Sequence, residues 1–78
     1  MKPKFDRLAV KQIEKLDGSM KQRIKEGIEK LPLGDIERLA GSKVRFRLRV
    51  GGYRVFFTMV GKSIVINEVL PRGSSYKN

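Results

Sequence analysis

The stretch RFRLRVGGYRV, residues 45–55, decides the fold. Val44, Phe46, Leu48 and Val50 alternate with Arg45, Arg47 and Arg49, the period-two pattern of a strand with one buried face. Gly51-Gly52 follows, and a glycine pair between two such runs marks a two-residue hairpin turn. Pairing Val50 with Tyr53 sets Leu48 against Val55, Phe46 against Phe57 and Val44 against Met59 on one face. The opposite face then holds Arg49 beside Arg54, Arg47 beside Phe56 and Arg45 beside Thr58. A third strand is expected around residues 63–70, after a turn at Gly61-Lys62. Ile64 and Ile66 point inward, and the alternation becomes ambiguous at Glu68-Val69, where a bulge would restore it.

Upstream of this hairpin the period is that of helices. Ala9, Ile13 and Leu16 recur at i, i+4, i+7 behind Asp6, a plausible N-cap. Asp17-Gly18-Ser19 breaks the pattern, with Gly18 suited to a left-handed C′ position and Ser19 and Gln22 spaced as a capping box. A second helix carries Ile24, Ile28 and Leu31 and stops before Pro32. Gly27, beside that stripe, would let the two helices approach closely. Residues 1–5 read as a short first strand in which Pro3 is confined to an edge or to the strand start. LPLGDIERLAGSK reads as a connection anchored by Ile36 and Leu39. The expected fold class is α+β: an N-terminal helical hairpin packed on a small, mainly antiparallel β-sheet, as one domain over residues 1–78.

Charge narrows the function. Lys and Arg number 18 against 8 Asp and Glu, a formal net charge of +10. Residues 1–40 carry ten basic and seven acidic side chains, whereas residues 41–78 carry eight basic ones against Glu68 alone. A basic half of a small basic domain points to a polyanionic partner, most often nucleic acid. Cysteine and histidine are absent, which removes disulfides, thiolate metal sites, the commonest zinc ligand and the commonest general base. No metal and no cofactor is expected. No apolar run approaches a membrane span and no signal-peptide core is present, so the chain reads as cytoplasmic with no membrane association. Basic residues on a strand face can protect a sheet from aggregation. A face of one sign is better read as a phosphate-binding surface, because guanidinium forks fit phosphate oxygens bidentately and keep their charge.

The chain resembles the RelE/ParE superfamily of type II toxins, and within it the RelE-like mRNA interferases. FDRLAVKQIEKL is similar to the family's opening F-x3-A-x-K-x-I-x-K-L, and LPLGDIERLAGS to its connection into the sheet. RLRVGGYRVFF resembles its most recognisable stretch, and VLPRGSSYKN its closing strand and tail. The resemblance implies a toxin that enters the ribosomal A site and cuts the bound mRNA by attack of a ribose 2′-OH on the adjacent phosphate. It places catalytic roles on Arg45, Arg47, Arg54, Arg72 and Tyr76: Arg54 as the phosphate-stabilising arginine, Arg72 as the basic residue of the last strand, Tyr76 as the tyrosine that stacks on a base. Lys43, Arg49, Phe56, Lys62 and Lys77 are expected to meet RNA or the ribosome. A RelB-like antitoxin, forming a hetero-oligomer with the chain, is the implied protein partner.

This chain departs from its relatives where they carry lysines near Arg45 and Arg47, or a Glu/His pair elsewhere. A guanidinium is a poor general base, so the base stays unassigned, with Glu68 either in that role or in a salt bridge to Arg54. Phe56 either stacks a base or supports Arg47 through a cation–π contact. Tyr53 reads as a core residue with its hydroxyl at the rim. Two alternatives remain open beside the ribonuclease: a ParE-like inhibitor of DNA gyrase, and a basic RNA-binding module whose catalysis has lapsed.

Overall fold

The computed structural model describes residues 2–73, so Tyr76 and Lys77 lie outside the described residues. The elements run β1 (Lys4–Phe5), α1 (Arg7–Glu14), α2 (Gly18–Glu29), β2 (Ile36–Arg38), β3 (Arg45–Val50), β4 (Tyr53–Val60) and β5 (Ser63–Pro71). The strands form one sheet in the order β1-β5-β4-β3-β2. β1 joins β5 in parallel, and every other pairing is antiparallel. This is the α+β arrangement that the change of period announces.

The central hairpin has the register expected from its alternation: Val50 faces Tyr53, Leu48 faces Val55, Phe46 faces Phe57 and Arg49 faces Arg54. Of its two turn glycines only Gly51 has positive φ (55°), the pattern of a type II′ turn. Between β4 and β5 the register shifts: Phe56 faces Glu68 but Phe57 faces Ile66, which leaves Asn67 as the extra residue of a bulge. The extra residue returns Val69 to the inner face, so Ile64, Ile66 and Val69 are all buried. Asn67 turns outward, where its Oδ1 accepts from Thr58 Oγ1 at 2.9 Å and its Nδ2 donates to Asp6 Oδ2 at 3.1 Å.

Helices α1 and α2 cover the inner face. Ala9 and Ile13 from α1, Ile24 and Ile28 from α2, and Leu31 pack on Leu48, Val55, Phe57, Ile64, Ile66 and Val69. Phe46 stacks on Phe57 with ring centroids 5.5 Å apart. The helix caps differ from expectation. Asp17 caps α2 by accepting from Met20 N at 2.9 Å, which displaces the Ser19–Gln22 capping box, and Gly18 becomes the first residue of the helix. Asp6 holds the N-cap position of α1 without a side-chain capping bond, because its carboxylate is engaged by Asn67. Gly27 admits β3 rather than α1: a Cβ there would lie 2.9 Å from Val50 Cγ2 and 3.4 Å from Leu48 Cδ2. The segment read as a connection contains strand β2, whose Ile36, Glu37 and Arg38 face Leu48, Arg47 and Phe46. Three residues are too few to display a period, and hydrogen bonding to β3 makes the strand. No helix of the described residues is long and apolar enough to cross a membrane.

Candidate nucleic-acid interface

The outer face of the sheet is organised in rows across the strands. One row runs Glu37, Arg47, Phe56, Glu68 through β2, β3, β4 and β5. The next, toward the hairpin turn, runs Arg49, Arg54, Leu70, and on the other side Arg45 faces Thr58. The face is therefore not of one sign. β2 contributes a carboxylate that alternation alone does not place there, and the bulge brings in a second.

Nor do the four arginines form an open array. Arg49 is exposed, Arg45 and Arg54 are half-buried, and Arg47 is only 8% exposed. The Arg47 guanidinium donates from Nη2 to Glu37 Oε1 at 3.3 Å, while its Nη1 is enclosed without a hydrogen-bond partner. The carboxylate side chain is 72% exposed, so water screens this pair from one side. Arg54 also has an enclosed, unpartnered Nε, and its Cζ lies 5.8 Å from the centre of the Phe56 ring. A cation–π contact to Phe56 is thus made by Arg54, where one from Arg47 was expected. Phe56 is 3% exposed, so of its two expected uses the enclosed ring fits the support of an arginine. The Arg54–Glu68 salt bridge does not form among the described residues; the ion pair of this face is Arg47–Glu37.

At the hairpin turn the basic groups converge. Arg49, Tyr53, Arg54 and Arg72, with the backbone of Gly51, Gly52 and Gly73, line a cleft of about 200 Å³. β5 brings Arg72 to this end of the sheet, where its N–H donates to Gly52 O at 2.6 Å. Tyr53 packs against the core and lines the cleft, as its position in the alternation suggests. From the helix side Arg23 backs the turn: a Cβ on Gly51 would lie 2.9 Å from Arg23 Nη1. Arg23 had no signal in the sequence, because nothing local tells that α2 passes behind the turn.

The residues singled out in the sequence thus fall into groups. Arg49, Arg54 and Arg72 meet at the cleft. Arg47 and Phe56 lie buried one row behind it. Lys43, Arg45 and Lys62 sit toward the opposite end of the hairpin, with Lys43 and Lys62 exposed in its loops and Arg45 N held by Ser42 Oγ at 3.1 Å.

No protein-family model matches the chain. Among curated proteins it is similar to Toxin RelE3 of Methanocaldococcus jannaschii, with 32% identity over 84 residues that cover 97% of this chain and 96% of the relative. Its fold is similar to that of the toxin in the RelB–RelE antitoxin–toxin complex from Methanococcus jannaschii, with TM-score 0.74 and 30% identity over 87% of this chain and 88% of the other. The archaeal RelE–RelB complex of Pyrococcus horikoshii OT3 gives TM-score 0.75 and 26% identity, covering 95% of this chain and 97% of that one. The isolated E. coli RelE toxin shares the fold at TM-score 0.72 and 20% identity, over 92% and 84% of the two chains. With a curated relative matched along nearly its whole length, and with the same sheet and helical layer, the chain belongs to the RelE family of toxins.

Proposed function

We propose that the chain is the toxin of a type II toxin–antitoxin pair and a metal-independent endoribonuclease that cuts mRNA in the ribosomal A site. The observation that carries this reading is the convergence of Arg49, Arg54 and Arg72 on one cleft at the hairpin turn. In such a reaction the 2′-oxygen bonds to phosphorus, the bond to the 5′-oxygen breaks, and a 2′,3′-cyclic phosphate remains. Negative charge builds on the non-bridging oxygens of the phosphorane, and preorganised guanidinium groups stabilise it most at that stage. Arg54, held by the Phe56 ring with Arg49 facing it across the hairpin, is best placed for this role. Guanidinium groups keep their protons, so the proton of the 2′-OH goes elsewhere. Glu37 and Glu68 are the carboxylates that this face offers, and Tyr76 supplies base stacking in this reading. The archaeal complexes of RelE with RelB support a RelB-like antitoxin as the partner that keeps the activity in check.

The test is a translation extract programmed with a defined mRNA and probed by primer extension. Cleavage within the A-site codon, with a 2′,3′-cyclic phosphate at the new end, is the expected result. Intact mRNA together with stalled DNA gyrase complexes would overturn it in favour of a ParE-like inhibitor.

A further inference from the structure

One basic side chain beside the cleft takes no part in the reaction as proposed. Helix α2 lies across the end of β3, so that Gly27 abuts Val50 and Arg23, one turn earlier, reaches Gly51. A Cβ on Gly51 would lie 2.9, 3.0 and 3.1 Å from Arg23 Nη1, Nη2 and Cζ. Three such similar distances mean that the flat face of the guanidinium covers Gly51, with its N–H donors directed sideways. The residue is exposed, and among the described residues its side chain makes no ion pair and no hydrogen bond. Glu26, three residues on along the same helix, would be the local partner. Its Oε2 instead accepts from Gln22 Nε2 at 3.1 Å. Gly52 adds a second observation. It has no positive φ, and a Cβ on it would meet nothing within 4 Å, so neither backbone nor packing requires glycine there. Both turn glycines line the cleft, and without side chains they keep the ridge between the cleft and Arg23 low.

We propose that Arg23 binds the mRNA phosphate next to the one that reacts, on a strand that leaves the cleft across the Gly51-Gly52 turn. The inference rests on the ribonuclease reading and adds a second phosphate site to it. A ligand that fills the arginine cleft and also spans the turn needs negative charge repeated along its length. A phosphodiester chain has this, whereas a lone anion does not. The guanidinium, already seated on the backbone, offers a planar fork of donors that fits phosphate oxygens. The flanking phosphate keeps its charge throughout the reaction. Contact with it therefore strengthens ground state and transition state alike, and its loss falls on binding.

Single-turnover cleavage on programmed ribosomes tests this, using mRNAs with one uncharged methylphosphonate on either side of the scissile phosphate. With unmodified mRNA, Arg23→Gln is expected to raise the half-saturating ribosome concentration about fivefold, the upper end for one exposed charge pair. That rise should far exceed any change in the saturated rate. Arg23→Lys should recover part of the loss, because it restores the charge without the fork. Gly52→Leu should show a rise like that of Arg23→Gln, since its side chain stands in the path of the strand. Both positions are exposed, so each variant should keep the circular dichroism and Tm of the parent. In the parent, a methylphosphonate at one flanking position should weaken binding by the same factor, and Arg23→Gln should be indifferent to it. Parental half-saturation in Arg23→Gln or in Gly52→Leu overturns the site and leaves the ribonuclease reading standing. So does a loss in Arg23→Gln that simply adds to that of both methylphosphonates, which assigns Arg23 to ribosomal RNA or to the general positive field. A parent chain that cleaves no mRNA overturns both.

Discussion

At Arg47 the sheet encloses a guanidinium between Glu37 on β2 and Phe56 on β4, with one nitrogen bonded and one left without an acceptor. Enclosing a charge with one of its nitrogens left without an acceptor costs free energy, and an apolar side chain of similar length would not incur that cost. Arg47→Met is therefore expected to leave stability unchanged or to raise it by about 1 kcal/mol in urea unfolding, while mRNA cleavage falls. A variant that loses both stability and cleavage would make Arg47 a structural residue only. Arg54 is different, because it is half-buried and borders the cleft. Removing one preorganised donor to a developing oxyanion typically costs on the order of 10²–10³ in rate. Arg54→Ala should show that loss in single-turnover cleavage on saturating programmed ribosomes, and a variant that cuts as fast as the parent would remove the cleft from the active site. Glu37→Gln keeps an oxygen for Arg47 and removes the competing charge, so ribosome association should tighten a few-fold at low salt, where charge is least screened. Unchanged affinity would show that Glu37 does not compete with phosphate.

The elements were legible in proportion to how local their signals are. The hairpin register followed from alternation alone, because a slip by one residue would expose Phe46, Leu48, Val55 and Phe57 together. The helices followed from their apolar spacing. β2 did not, since its three residues gain strand geometry only by pairing with β3, and with it Glu37 was missed as a member of the arginine face. Burial of Arg47 and Phe56 was equally out of reach, because alternation tells which face a side chain takes and not what covers it. Gly27 shows the same limit: its small size was readable, but the neighbour that needs it is β3 rather than α1. An alanine there gains roughly 1 kcal/mol of helix propensity. Its Cβ would, however, press on Val50, whose branched side chain has few rotamers to retreat into, and overpacking costs typically 1–3 kcal/mol. Gly27→Ala should therefore destabilise the fold by about 1 kcal/mol in urea unfolding. A gain instead would mean that α2 can move off the sheet without penalty.

Across the whole molecule the proposed function gives the positive charge and the cleft different work. The cleft occupies one end of the hairpin, whereas Lys43 and Lys62 lie in exposed loops toward the other. A net charge of +10 draws the chain toward any polyanion, and that attraction is sequence-independent and sensitive to salt. In the reaction proposed above, the cleft arginines act on a phosphate already in place. Lys62→Ala should thus weaken association with ribosomes at low salt and shrink the difference between low and high salt. Neutralising one phosphate fewer lowers the slope of log affinity against log salt by about 0.7–0.9. At saturating ribosome concentration its single-turnover cleavage should equal that of the parent, since nothing near the reacting phosphate has changed. Arg54→Ala should do the reverse, slowing the saturated reaction far more than it alters the salt slope. Measuring both quantities for both variants separates encounter from chemistry. If Lys62→Ala slows the saturated reaction as much as Arg54→Ala does, the two ends of the hairpin act as one site, and the division between a steering surface and a reacting cleft fails.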